Sequence, residues 1–148
     1  MQDEKKKFLE EDELLINQAI DLKNKSEFHD SLNILLPMLS QYPNDSRLYG
    51  LVATNHYLME DYSNSRKFFL VTVELNPKSE LASLGLFHSY RELKKFRKSF
   101  QELDRFLSNN QPNLYKVTLE EQYKQLSGIT SAFGRKIVLK YYHQYRSI

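Results

Sequence analysis

Cysteine is absent from the 148 residues, which excludes disulfide staples, a thiol nucleophile and cysteine-ligated zinc. Glycine and proline number only 4 each, too few to punctuate the many short strands of an all-β fold. No uninterrupted apolar run approaches the roughly 18–20 residues that span a bilayer. The segment Met1 to Glu13 is dense in charge and lacks the apolar stretch of a secretory signal. These absences lead to the expectation of a soluble cytoplasmic protein without a membrane span.

Catalytic chemistry is equally sparse. The histidines His29, His56, His88 and His143 include no pair at the i, i+4 spacing of a helical metal motif, and none stands beside an H-E-x-x-H pattern. His56 falls on an apolar helix face, where a packed histidine is the ordinary reading. Gly50, Gly85, Gly128 and Gly134 build no phosphate loop or dinucleotide fingerprint. The acidic residues are spread over solvated helix faces and nominate no carboxylate pair. No enzyme, no metal site and no cofactor is expected.

Apolar residues make up 41% and charged residues 27%, the balance of one folded domain, and helix formers such as Leu, Lys, Glu and Gln are common. The net charge of +2 is too small to argue for nucleic acid by itself. Its distribution is uneven: residues 1–14 carry six acids against three lysines, a net −3, whereas residues 113–148 carry six bases against two acids, a net +4.

One spacing, a 34-residue period, organises the chain. Phe28, Tyr62 and Phe96 follow it, as do Ser31, Ser65 and Ser99, and Pro43 and Pro77. Ala19 and Ala53 keep the same interval, and so do Asp45 and Ser79. Each column has a physical role. Asp45 and Ser79 precede apolar-periodic stretches, where a side-chain oxygen caps free helix N–H groups. The prolines end the helix before them. The aromatics stand at the bend of each hairpin and wedge two helices together, while the serines are small enough to let the helices approach.

Helical periodicity fills this frame. Leu15, Ala19 and Leu22 are expected to line the first helix, extended backwards by Phe8, and Leu32, Leu35, Leu36 and Leu39 to line its partner, interrupted at Pro37. Tyr49, Val52, Ala53 and His56 lead the second hairpin, with Phe68, Phe69 and Val73 returning. Leu86, Phe87, Tyr90 and Leu93 lead the third, with Phe100, Leu103, Phe106 and Leu107 returning.

With these columns the sequence resembles the tetratricopeptide repeat (TPR) family over roughly residues 12–112. The second repeat matches best, through Tyr49, Ala53, Tyr62, Ser65, Phe69 and Pro77; the first offers Leu15, Ala19, Phe28, Ser31, Leu35 and Pro43. The third departs, with Phe87 where a small residue belongs and Pro112 one residue late. The resemblance implies an all-α fold, a right-handed α-solenoid of about three hairpins (12–45, 46–79 and 80–112) followed by a C-terminal helical extension over 113–148. In that tail, Thr118-Leu119-Glu120-Glu121 reads as a capping box opening a helix that ends near Gly128. A last helix from about Ser131 carries Phe133, Ile137, Tyr141 and Tyr145 at i, i+4 spacing. That stripe has three destinations open to it: sealing the array's end, folding into the groove, or pairing with a second copy as a homodimer.

The resemblance also implies a concave groove lined by the first helix of each hairpin. Its register assigns Ile16, Asn17 and Ile20 from repeat one, Arg47, Leu51, Thr54 and Tyr57 from repeat two, and Leu81, Leu84, His88 and Arg91 from repeat three. The family's carboxylate-clamp subclass, which grips a chaperone's C-terminus, has lysine and asparagine where this chain has Ile16 and Ile20, so that clamp is not expected. The groove is half apolar with a few cations, suited to an amphipathic helix or an extended apolar segment. A non-catalytic protein-binding module follows: an adaptor, an assembly factor, or a dedicated chaperone or neutraliser. A nucleic-acid-associated protein is the alternative. It would use the basic last helix (Arg135, Lys136, Lys140, Arg146) with Arg91, Lys94, Lys95, Arg97 and Lys98 around the third bend.

Overall fold

The structure, a computed structural model, describes residues 9–146. Among them are eight α-helices and no strand: α1 (Glu10–Asn24), α2 (Phe28–Gln41), α3 (Ser46–Leu58), α4 (Tyr62–Leu75), α5 (Glu80–Glu92), α6 (Phe96–Leu107), α7 (Tyr115–Lys124) and α8 (Ala132–Tyr145), with a short 3₁₀ turn at Leu126–Gly128 before α8. Consecutive helices pack on one another from α1 to α6 as a solenoid of hairpins, and α8 packs on both α6 and α7. Phe8 lies outside the described residues.

The hairpin starts are fixed by the expected caps. Asp45 Oδ1 accepts the Leu48 N–H at 3.2 Å to open α3, and Ser79 Oγ accepts the Ala82 N–H at 3.2 Å to open α5. Each bend closes in one geometry. The N–H of Glu27 donates to the Leu22 carbonyl and that of Ser26 to Lys23, a Schellman motif repeated by Asp61→His56 with Glu60→Tyr57, and by Lys95→Tyr90 with Lys94→Arg91. The left-handed residue this motif requires is Ser26 (φ 62°), Glu60 (φ 62°) and Lys94 (φ 58°), again in step with the repeat and never glycine. Phe28, Tyr62 and Phe96 open the returning helices directly after these bends.

The serine column brings the helices together. Ser31 is fully buried and its hydroxyl donates to the Ala19 carbonyl at 2.7 Å, a contact between α1 and α2 that a larger side chain would prevent. Apolar burial follows the same register: Ile16, Ala19, Leu32, Leu35, Met38, Leu48 and Val52 form one cluster, and Ala53, Phe69, Val73, Ala82, Leu86 and Tyr90 the next. Burying each such Leu, Ile, Phe or Val side chain contributes roughly 1.5–3 kcal/mol.

Four details depart from the sequence expectation. Ile16, not Leu15, is the core residue of α1; Leu15 is on the exposed side, because the stripe that meets α2 runs through Ile16 and Ala19. Leu36 is likewise exposed, one position off the Leu32–Leu35–Met38 line. Pro37 does not interrupt α2: it lies inside the helix on its exposed side. Finally, α7 opens at Tyr115, so Thr118 is inside the helix and buried. The Glu80 carboxylate performs the capping from α5, its Oε1 accepting the N–H groups of Asn113 (2.8 Å) and Tyr115 (2.7 Å).

The third repeat absorbs its irregular residue by using it. Phe87 is wholly buried and meets Phe100 and Tyr115 edge-on, at 6.0 and 6.1 Å between ring centroids, which ties α5 to both α6 and α7. Below it, Ser83 donates to the buried Glu102 carboxylate at 2.8 Å and accepts from the Tyr115 hydroxyl at 2.8 Å, and Arg105 completes the pairing of Glu102. Burial pushes the Tyr115 hydroxyl far above its ordinary pKa, so it stays a donor. One face of α8 packs on α6 and α7: of the expected stripe Ile137 and Tyr141 are buried and Phe133 and Tyr145 partly so, Gly134 and Val138 are buried beside them, and the Tyr141 hydroxyl donates to Asp104 Oδ1 at 2.5 Å.

Candidate functional site

Two adjoining depressions run along α3 and α5 with α4 as their floor. The larger, about 490 Å³, is lined by Lys23, Arg47, Gly50, Leu51, Thr54, Phe69, Thr72, Leu81 and neighbouring polar residues. The smaller, about 190 Å³, is lined by Thr54, Tyr57, Phe69, Leu81, Leu84, Gly85 and His88. Thr54, Phe69 and Leu81 belong to both, so the two form one continuous groove.

Its depth comes from glycine. An alanine at position 85 would put its Cβ 2.4 Å from Cζ of Phe69, so the absence of a side chain on α5 is what admits the Phe69 ring beneath it. At Gly50 a Cβ would meet only the Thr72 methyl, at an ordinary 3.6 Å, and the missing atom widens the groove between α3 and α4. Above this floor, Leu81 stands 69% exposed, the most open of the large apolar side chains among the described residues. A leucine so placed in a groove leaves apolar area to be covered.

The polar groups are held in place around it. Arg47 donates to both carboxylate oxygens of Glu13, at 2.9 and 3.3 Å, which anchors the guanidinium across α1 and α3 and raises its pKa. The Thr54 hydroxyl donates to the Gly50 carbonyl at 2.8 Å. Tyr57 meets Tyr62 edge-on at 5.3 Å, and burial holds its hydroxyl protonated. Burial, reinforced by nearby Arg91, lowers the pKa of His88 and keeps the imidazole neutral at physiological pH.

Of the residues assigned to the groove from sequence, seven come together there: Arg47, Leu51, Thr54, Tyr57, Leu81, Leu84 and His88. The other four do not. Ile16 is 1% exposed, in the core between α1, α2 and α3, because α1 turns this position inward. Ile20 packs half-buried on the same cluster, and Asn17 is exposed but outside both depressions. Arg91 lines a separate small pocket at the third bend. Repeat one contributes Lys23 instead, which shares a repeat column with Tyr57 and Arg91. The floor residues Phe69, Gly50 and Gly85 escape sequence reasoning as site residues, because a helical period marks them only as core or as weak helix formers. Among the described residues no group of acidic, histidine or cysteine side chains is arranged to hold a metal ion, and no helix is long and apolar enough to cross a membrane.

The basic residues of the tail are partly engaged within the fold. Arg135 donates to the carbonyls of Ile129 (2.6 Å) and Thr130 (3.2 Å), Arg97 lies over the Phe133 ring at 4.8 Å, and Lys140 over that of Tyr141 at 4.9 Å.

Neither a family model nor a curated protein matches the chain in sequence. Among solved structures it is similar to the first TPR of Spaghetti (RPAP3) bound to the HSP90 peptide SRMEEVD, with a TM-score of 0.70 and 13% identity over 81% of this chain and 94% of that one. The likeness shows the fold: the chain is a tetratricopeptide-type array of helical hairpins closed by further helices.

Proposed function

We propose that this protein is a non-catalytic protein-interaction module, an adaptor, assembly factor or dedicated chaperone, whose α3–α5 groove receives an apolar or amphipathic segment of a partner. The carrying observation is the exposed Leu81 beside a floor made by Phe69 under Gly85. Binding would bury that apolar area, and Lys23, Arg47 and His88 at the rim would orient the segment through polar contacts. The neighbouring structure holds an acidic peptide, SRMEEVD. Here the positions that carry lysine and asparagine in clamp-type arrays are Ile16, which is buried, and Ile20, which is half-buried, so apolar anchoring is the reading that fits.

A photo-crosslinker at position 81 tests this, with affinity measured by anisotropy for amphipathic helical peptides and for an EEVD-terminated control. The amphipathic set should bind, Leu81→Asp should weaken it by about tenfold or more, and the control should not compete. Retained binding in Leu81→Asp, together with its loss in Lys136→Glu/Lys140→Glu and a steep decline with salt, would move the function to the basic tail and to phosphate contacts.

A further inference from the structure

The residue after each serine of the repeat column, Leu32, Arg66 and Phe100, keeps the same 34-residue interval. Leu32 and Phe100 are buried in apolar clusters. In the second hairpin the position holds an arginine, half-buried beside the fully buried Ser65. A charged side chain at a packing position forgoes apolar burial and is costly to desolvate, so its presence there calls for a compensating contact. The fold supplies none. Arg66 Nε is shut off from water without a hydrogen-bond partner, and the guanidinium makes no hydrogen bond or ion pair among the described residues.

The groups near it are donors as well. Arg66 acts electrostatically on the Tyr90 hydroxyl, and Nζ of Lys98 lies 6.0 Å from the centroid of the same ring. Three helices, α4, α5 and α6, thus bring a guanidinium, a phenol and an ammonium group to one place. The Tyr90 ring is buried, yet its hydroxyl makes no hydrogen bond among the described residues and, unlike Arg66 Nε, is not sealed from solvent. Burial raises its pKa, so it remains a donor.

No acceptor within the fold is free to meet these donors. Glu102, the carboxylate that acts on Tyr90, is already held by the Ser83 hydroxyl and by the Arg105 guanidinium, which meets both of its oxygens. Lys98 is exposed and forms no ion pair among the described residues. Two uncompensated positive charges and a phenol therefore stand together with only solvent to accept from them.

We propose that Arg66, Lys98 and the Tyr90 hydroxyl form a binding site for one phosphoryl group. The guanidinium fork presents parallel N–H groups to two oxygens of a tetrahedral anion, the ammonium adds a point charge, and the hydroxyl adds a further donor. Two cations match the charge of about −1.5 to −2 that a phosphoryl group carries near neutral pH, and exceed that of a carboxylate. A phosphorylated side chain of a bound protein would carry the group, and so would free phosphate. The site stands whether or not the groove binds a partner, because it uses none of the groove residues.

The test is a ¹⁵N-correlation titration of the full chain, observed at the Arg66 Nε–H, with inorganic phosphate and separately with acetate, chloride being adjusted to hold ionic strength constant. A saturable shift is expected with phosphate and a linear one with acetate. A short phosphoserine peptide then separates the two sources: binding tighter than that of inorganic phosphate assigns the group to a partner protein, and equal affinity assigns it to the free anion. Lys98→Gln and Arg66→Lys should each weaken phosphate binding by about tenfold, and Tyr90→Phe by about threefold. Lys98 is exposed, so its substitution probes the site with the fold intact. In Arg66→Leu, followed through the Tyr90 ring protons, the saturable shift should vanish with the thermal midpoint equal or higher, since leucine fills this position in the first hairpin. A linear response to phosphate in the parent protein would overturn the proposal. So would acetate binding as tightly as phosphate, or a saturable shift that persists unchanged in Lys98→Gln and Arg66→Leu.

Discussion

Asn55 donates from Nδ2 to the Ser31 hydroxyl oxygen at 3.0 Å, and one repeat later the hydroxyls of Ser89 and Ser65 meet at 2.8 Å. Both pairs are fully buried and both join partners 24 residues apart. The first helix of one hairpin is thus bonded to the returning helix of the hairpin before it, at the same point in successive units. An apolar cluster alone allows hairpins to slide against one another; a buried polar pair is satisfied in one register only. Ser31 also donates to Ala19, so this one side chain links three helices.

Ser31→Ala removes that link and leaves the Asn55 amide buried and without this partner. A loss of about 1–3 kcal/mol in unfolding free energy is expected, from the cost of an unmet buried polar group. Asn55→Ser, which copies the residue found at position 89, should cost less than Asn55→Asp, which would bury a charge. Urea denaturation of the three variants decides the order. Equal stability of Ser31→Ala and the parent protein would show the polar column to be dispensable.

The left-handed residues at the bends offer a change in the opposite direction. Glu60 and Lys94 hold φ values of 62° and 58°, where a side chain costs energy that glycine does not incur. Glu60→Gly and Lys94→Gly should each stabilise by about 0.5–1 kcal/mol, the gain being reduced by glycine's greater freedom in the unfolded chain. Glu60→Val should destabilise by more than that, since a β-branched residue tolerates this conformation least. Midpoints of thermal or urea unfolding provide the check, with a glycine variant less stable than the parent as the contrary outcome.

Gly85→Ala separates the groove from the helix that bears it. In an open helix the substitution would be favourable by about 1 kcal/mol. Here the added Cβ falls 2.4 Å from Phe69 Cζ, so the ring must move. A net destabilisation of about 1–3 kcal/mol is expected, with loss of binding to the groove. Adding Phe69→Leu, which shortens the side chain beneath the new methyl, should restore part of the stability. If Gly85→Ala is as stable as the parent and binds as well, the ring does not require the glycine.

The repeat is legible because its residues act locally or at a fixed interval. Caps at Asp45 and Ser79, small residues at Ser31 and Ser65, and the core line of α3 through Val52 and Ala53 all follow from position within the repeat. What the sequence conceals depends on distant partners. The α7 start is set by Glu80, two helices earlier at the opening of α5. No local pattern reports that, so the nearer Thr118–Glu121 box is the more attractive signal. Ile16 and Leu15 are adjacent apolar residues, and a one-residue choice turns a helix side chain by about 100°; only the packing of α1 on α2 resolves it. Arg91 falls outside the groove for a similar reason. Its register position matches Tyr57, but α7 and the α7–α8 connection, which no repeat predicts, close over it.

His88 should give the fold a pH dependence whose window can be assigned. Burial is the main cause of its lowered pKa and Arg91 the second, with Glu121 and Glu92 acting weakly in the other direction. The unfolded chain therefore takes up the proton first as pH falls, from about 6.5 downward. Stability is complete above that value and declines as pH drops towards the folded-state pKa, because protonation then favours unfolding. Asp61, whose carboxyl is lowered chiefly by the Asn64 side chain, stabilises above its unfolded pKa and loses that contribution only below about pH 4. The His88 window opens at higher pH than that of Asp61. Urea unfolding between about pH 7.5 and 5 should thus show a decline in the parent protein that is shallower in His88→Gln. Arg91→Gln should raise the His88 pKa, read directly from its ring proton shifts, since it removes the second cause. An unchanged slope in His88→Gln would place the titrating group elsewhere, and an unmoved His88 pKa in Arg91→Gln would mean that the guanidinium does not act on the imidazole across the wall between groove and pocket.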